Sequence, residues 1–256
     1  MVTQIVPQTD TEAEIIYPES DGRPMADNTI QFRWITVIYY NLAWLFAQDD
    51  NVFVAGDLLW YPVKGNNKLR QAPDVMVAFG VEKKDRGSYQ QWKENNIAPQ
   101  VVFEILSPGN TLKEMSRKLL FYQRYGVEEY YVYDPQKNSL TGWVRSEEWL
   151  DAIDEINGWV SPRLGIRFEI SSDTLLLYRP DGKPFADYLE VQQQQLDAAE
   201  NRAAQAENRA AQAEEQLEQE RQAKEQERQA KEMAIERANR LEQILREAGI
   251  SVDENS

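Results

Sequence analysis

The sequence predicts an α/β (α+β) domain, a mixed β-sheet flanked by helices, followed by one long C-terminal helix. Three observations carry this. Two short runs of apolar and aromatic residues, VVFEIL (101–106) and YYVYD (130–134), end in Ser-Pro-Gly and in Pro135, as buried strands do. The stretch between them, from about Thr111 to Tyr125, reads as a helix closed by Gly126. From Glu200 the chain falls into heptads, and the first two, ENRAAQA, are identical.

The elements follow in order. After a polar arm, PESDGRPMADN (18–28) supplies turns and a helix N-cap at Asp27 or Asn28. A helix is expected from Thr29 to about Ala47, with Phe32, Ile35, Tyr39, Leu42 and Leu45/Phe46 at helical spacing. Its many β-branched and aromatic residues mean that packing holds it more than propensity does. Strands are expected at 52–62 and 74–79, then a polar loop from Gly80 to Pro99, then the 101–106 strand. Weaker strand signals at 140–145, 149–153, 165–170 and 174–178 suggest an antiparallel extension. The expected organisation is a core domain over 1–189, a heptad-patterned helix over 190–248 and a disordered tail at 249–256.

Cysteine and histidine are both absent. That removes disulfides, thiol and imidazole catalysis, and zinc sites of the usual ligand types. Any metal must be a hard cation on oxygen ligands, with magnesium or manganese the natural candidates. The start, MVTQIVPQTDTEAEI, has neither a basic region nor a long apolar one, so no signal peptide is expected. The run VIYYNLAWLF (37–46) is too short to span a membrane. The expectation is a soluble, cytoplasmic protein without membrane partners. The net charge is −15: residues 1–189 hold 27 acids and 19 bases, and residues 190–256 hold 16 and 9. Neither part shows the basic excess of a constitutive nucleic-acid binder, so contact with DNA is expected to be transient.

Glu104 stands in the middle of an apolar strand, where an isolated carboxylate is costly. Asp74 opens another strand directly after Pro73. If the two strands are neighbours, both carboxylates converge at one end of the sheet. They would repel each other unless a divalent cation or an ammonium group lay between them. The competing reading pairs Glu104 with an arginine or turns it to water at a sheet edge. Asp57, in VAGDLLWYP (54–62), is a further acid in an apolar run. It is a candidate third ligand, a supporting group or a turn residue after Gly56.

Pro73-Asp74, then an apolar strand bearing Glu104, then a helix resembles the PD-(D/E)xK nuclease superfamily. More closely, APDVMVAFG, PQVVFEILSPGN and EMSRKLLFYQRYGVEEYYVYDP resemble the bacterial Uma-two family of restriction-endonuclease-like proteins, over roughly residues 12–180. The resemblance implies a restriction-endonuclease-like core and metal-assisted hydrolysis of DNA phosphodiester bonds. Asp74 and Glu104 would be the Mg²⁺ (or Mn²⁺) ligands, with the Ile105 carbonyl as a third. The superfamily signature asks for a lysine two residues after the acid, and Leu106 stands there instead. The resemblance moves the basic residue to the next helix, in an acid–lysine–tyrosine pattern filled by Glu114, Lys118 and Tyr122. Lys118 is therefore the expected catalytic cation and Arg117 the fallback, against the plainer reading of an i,i+4 pair with Glu114. Some superfamily members place a glutamate on the first helix. This chain has none there, and Gln31 is the neutral substitute.

The loop from Gly80 to Pro99 carries Lys83, Lys84, Arg86 and Lys93 with Tyr89 and Trp92, a composition suited to phosphate contact and base stacking. Glu82, Asp85 and Glu94 dilute its charge, and a solvated loop is the bland alternative. In the tail, one seam runs through Leu196, Ala203, Ala206, Ala210, Ala213 and Leu217. It then meets Glu220, Lys224, Glu227 and Lys231 before Leu241 and Leu245. A homo-oligomer through a coiled coil and a single helix held by i,i+4 charge pairs both fit this pattern. Two functions of different class follow: a metal-dependent endonuclease, or a catalytically weak nuclease-fold scaffold acting through its helix. A phosphodiesterase acting on RNA or small nucleotides is a third that the sequence does not separate from the first.

Overall fold

The fold is described from a computed structural model, which covers residues 15–22 and 24–247. The N-terminal start and the 249–256 tail lie outside these residues. The chain divides into two compact units, one up to Gln192 and one from Gln193.

The first unit is α+β. Helix α1 (Thr29–Leu45) is capped by Asn28, whose side chain accepts from the N–H groups of Ile30 and Gln31. It buries Gln31, Ile35, Ile38, Asn41 and Leu42. Phe32, expected on that face, is instead 40 % exposed. Strand β1 (Val52–Gly56) and the two-residue β2 (Trp60–Tyr61) replace the single strand expected at 52–62. The break is Asp57, in the left-handed region at φ 48°, a conformation Asp tolerates better than most residues. Strand β3 (Val75–Phe79) follows. Within the expected loop, β4 (Tyr89–Gln90) pairs in parallel with β2, and a single 3₁₀ turn spans Gln91–Lys93.

Strand β5 (Val101–Ile105) is buried throughout, and helix α2 (Leu112–Arg124) leads from it to β6 (Glu129–Asp134). Thr111 caps α2. Gly126, at φ 93°, ends it while the Val127 N–H bonds the Tyr122 carbonyl. Strands β7 (Ser139–Ser146) and β8 (Trp149–Ala152) complete a six-stranded sheet of order β1-β3-β5-β6-β7-β8. Within this sheet β5 and β6 run parallel, because α2 crosses between them, and its other pairs are antiparallel. The expected antiparallel extension divides: β9 (Arg167–Ile170) and β10 (Leu175–Tyr178) form a separate hairpin.

Alternation along the strands gives the sheet two buried faces. Val75, Val77, Val101, Phe103, Ile105, Tyr131 and Tyr133 pack with Ile35, Ile38 and Leu42 of α1 and with the β9–β10 hairpin. Phe53, Ala55, Met76, Val102 and Tyr130 pack with Phe121 and Tyr122 of α2. Glu104 shares parity with Val102, and so lies on the α2 face.

In the second unit, α3 (Tyr188–Glu247, counted from its start in the first unit) is a helix of 60 residues. Its exposed flank carries i,i+4 pairs such as Lys224–Glu220 at 2.6 Å and Arg246–Glu242 at 2.7 Å. Among the described residues, no helix is long and apolar enough to cross a membrane.

Candidate active site

Strand register brings the two acids together. Val75 pairs with Phe103 across the antiparallel β3–β5 ladder, so the next step outward sets Asp74 directly opposite Glu104. The backbone reinforces this, because the Ile105 N–H donates to Asp74 Oδ2 at 2.6 Å. Among the described residues, no group donates a hydrogen bond to Asp74 Oδ1. Glu104 is 2 % exposed. Lys118 Nζ donates to its Oε2 at 2.7 Å, and the Tyr122 hydroxyl donates to its Oε1 at 2.5 Å.

Helix α2 makes this reach possible. Glu114, Lys118 and Tyr122 recur every four residues, so one face of α2 lies over the carboxylate-bearing end of β3 and β5. Lys118 pairs with Glu104 rather than with Glu114. Burial alone would lower the Lys118 pKa, but the charges of Glu104 and Asp74 outweigh it and hold the ammonium above its ordinary value. Asp74 moves well above the usual carboxylate range, first by burial and then by repulsion from Glu104, with Lys118 and the Ile105 N–H opposing. Asp57, at the exposed end of β1, is raised by partial burial and by Asp21 and Glu104. It therefore sits within the electrostatic reach of the pair.

The profile of a family described as "Putative restriction endonuclease", Uma2, matches residues 23–173, more than half of the chain. The chain belongs to the Uma2 family. No curated protein matches it. One solved structure with a similar fold is titled a "putative nuclease belonging to DUF820" from Anabaena variabilis ATCC 29413. It has a TM-score of 0.41 and 15 % identity, covering 53 % of this chain and 72 % of that one.

Gln31 makes no hydrogen bond to either Asp74 or Glu104 among the described residues. Its amide donates to the Ile105 carbonyl at 2.9 Å and its oxygen accepts from the Asp27 N–H at 2.8 Å, strapping α1 to the end of β5. The Ile105 carbonyl thus keeps one lone pair for another partner. Ser107 Oγ and Asp27 Oδ2, 2.6 Å apart, close the same corner. Glu114 is half-buried and adds to the field on Lys118, while Arg117 is exposed on α2 and away from the acids.

The loop bases and aromatics expected to meet nucleic acid are mostly engaged in holding the fold. Lys83 Nζ caps α1 through the carbonyls of Phe46 and Ala47, at 2.6 and 3.2 Å. Arg86 forms a buried pair with Glu94 and lies over the Phe53 ring. Lys84 pairs with Glu82, Trp92 packs on Tyr17, and Tyr89 is fully buried with its hydroxyl on the Ile97 carbonyl. Tyr89 has no face to offer a base. Sequence composition counted these residues as available because it does not report which have intramolecular partners.

Sequence reasoning placed Tyr122 in the helix pattern but gave it no hydrogen bond, and it passed over Tyr130. The Tyr130 ring lies 5.0 Å from that of Tyr122, and its buried hydroxyl has no partner among the described residues. The β5–β6 register pairs Tyr130 with Val102, on the face that carries Glu104, a placement decided by strand pairing and not by the sequence alone. An unsatisfied buried hydroxyl costs about 1–3 kcal/mol. Tyr130→Phe is accordingly expected to raise stability by about 1 kcal/mol, read as a higher urea midpoint at unchanged m-value. An unchanged or lower midpoint would show that the hydroxyl is satisfied in solution.

Proposed function

We propose that this Uma2 protein is a metal-dependent endonuclease that hydrolyses DNA phosphodiester bonds at the Asp74–Glu104–Lys118 site. The observation that carries the reading is the direct opposition of Asp74 and Glu104, with a single ammonium delivered from the following helix. Two buried carboxylates against one lysine leave an excess negative charge. Hard oxygen donors in that state suit magnesium or manganese. Asp74 Oδ1 and Glu104 would hold the ion, with the Ile105 carbonyl as a third ligand. Among the described residues no group of three or more acids is assembled for a metal, so main-chain oxygen or water would complete the shell. A bound divalent ion supplies charge at a phosphate oxygen and a lowered pKa for water.

The protein's own groups account for the rest. Tyr122 fixes the Glu104 rotamer, the Ile105 N–H fixes Asp74, and Gln31 holds the β5 end against α1. Lys118, whose raised pKa keeps it an ammonium through neutral pH, would donate to charge growing on the phosphate. On the outer face of α2, Lys113, Arg117 and Arg124 are exposed and have no acidic partner among the described residues. They are candidate cations for a phosphate backbone, as is the exposed Lys93 of the 80–99 loop. Assembly into a homo-oligomer through α3 belongs to the same reading.

The test is cleavage of supercoiled and linear DNA with Mg²⁺ or Mn²⁺ by wild type, Asp74→Asn and Glu104→Gln. Each variant is expected to lose at least about 10²–10³-fold in rate. Activity that survives both would place the chemistry elsewhere. A folded wild type inert on DNA, with RNA cleaved instead, would change the substrate class.

A further inference from the structure

The seam of α3 has a symmetry that its heptads alone do not reveal. Its a positions are Leu196, Ala203, Ala210, Leu217, Lys224, Lys231, Ala238 and Leu245. Its d positions are Ala199, Ala206, Ala213, Glu220, Glu227, Ala234 and Leu241. The 3–4 spacing runs without a break through the charged block, so one face of the helix stays in register over its whole length. Leu196, Leu217 and Leu241 are 59, 59 and 55 % exposed. Within the block every a position is lysine and every d position glutamate.

We infer that two copies of the chain pair through this seam as an antiparallel coiled coil, with Glu220 facing Lys231 and Lys224 facing Glu227 of the second copy. In a parallel pair, a meets a and d meets d. All four charged layers would then set lysine against lysine or glutamate against glutamate, and like charges brought together without partners are strongly unfavourable. Antiparallel packing sets a against d, so each charged layer becomes a Lys–Glu pair. The lysines already hold Glu220 and Glu227 of their own helix, at 2.6 and 2.5 Å. Pairing therefore places each ammonium between two carboxylates instead of stripping it of one.

The apolar layers choose the same register. It sets Leu217 against Ala234, Ala213 against Ala238, Ala210 against Leu241, and Ala206 against Leu245. Three of these four layers join one large and one small residue, which keeps the helix spacing even. A parallel pair would stack five Ala–Ala layers from Ala199 to Ala213 between Leu–Leu layers at Leu196 and Leu217, and force the helices to converge and diverge. One set of contacts favours the parallel form: Arg202, Arg209 and Arg237 would each face a glutamate, at Glu207, Glu214 and Glu242. Antiparallel packing also brings Arg221 near Arg228 of the second copy. These pairs lie at the solvated rim, where each contributes only about 0.2–1 kcal/mol, less than like-charge contact inside the seam. The contact is two-fold symmetric and closes at two copies.

Because the chain has no cysteine, introduced thiols report the pairing directly. The full chain is expected to have the mass of two copies by light scattering. Ala213→Cys and Ala238→Cys together should cross-link at least tenfold faster under mild oxidation than either alone, and than Gln222→Cys on the outer face. Glu220→Lys with Glu227→Lys should give single copies, and mixing with Lys224→Glu plus Lys231→Glu should restore the pair. Ala213→Cys alone linking as fast as the double variant would establish parallel helices and overturn the inference. So would the mass of one copy, or a dimer whose double variant fails to link. None of these readouts involves DNA cleavage, so the nuclease reading stands or falls separately.

Discussion

Lys118→Met is expected to destabilise the first unit by about 3–5 kcal/mol, the cost of removing one partner from a buried ion pair. Glu104 is 2 % exposed, and the side chain of Lys118 is 14 % exposed. Without the ammonium, Glu104 keeps only the Tyr122 hydroxyl and faces Asp74 across the ladder. The raised pKa of Lys118 means that its contribution is fully present below the unfolded lysine value and is lost only as the pH rises through the folded value. Urea unfolding at neutral pH measures the loss, and Glu104→Gln in the same chain should recover most of it. A single variant that costs less than about 1 kcal/mol would mean that Glu104 is better solvated than its burial indicates. Under the proposed function, cleavage should fall in both variants, because each lacks the Lys118 ammonium proposed to donate to the phosphate.

Asp74→Asn should move stability and activity in opposite directions. The carboxyl of Asp74 is held well above the ordinary range, first by burial and then by repulsion from Glu104, so its charged form is disfavoured in the folded chain. A group raised in this way contributes stability that is complete below the unfolded aspartate value and is lost as the pH climbs through the folded one. The asparagine oxygen still accepts from the Ile105 N–H, and no charge then opposes Glu104. The metal-free variant is expected to be more stable than wild type at neutral pH, read as a higher Tm. The advantage should vanish in acid, where Asp74 is protonated in both folded and unfolded chains. Mn²⁺ should raise the Tm of wild type and leave the variant unmoved, and cleavage should be lost with it. Wild-type activity should fall as the pH drops through the raised Asp74 pKa, since a protonated carboxyl is a poor ligand. An Asp74→Asn protein less stable than wild type without metal, or still stabilised by Mn²⁺, would remove Asp74 from the ligand set.

The same physics explains what could be read in advance. Elements with strong local signals were legible: the buried runs at 101–105 and 129–134, the Thr111 cap and the Gly126 stop of α2, and the heptads of α3. The single strand expected at 52–62 was not, because one left-handed aspartate redirects the chain in a way that apolar content does not report. The β9–β10 hairpin was seen as strands but not as a separate sheet, since pairing partners are chosen by packing rather than by propensity.

By itself the sequence determined which side chains are present: two carboxylates in apolar strands, a lysine and a tyrosine at helical spacing after them, and no histidine or cysteine. It also determined the α3 seam, because heptad positions are set by helical period alone. Tertiary structure decided how these groups meet. The antiparallel β3–β5 register makes Asp74 and Glu104 neighbours, the course of α2 gives Lys118 to Glu104 rather than to Glu114, and Tyr122 takes the second carboxylate oxygen. The same folding gave Lys83, Arg86 and Tyr89 structural partners. Helical and strand periods are local and survive in the sequence. The strand register and the burial of a charge depend on which distant segments pack together, and only the folded chain determines that.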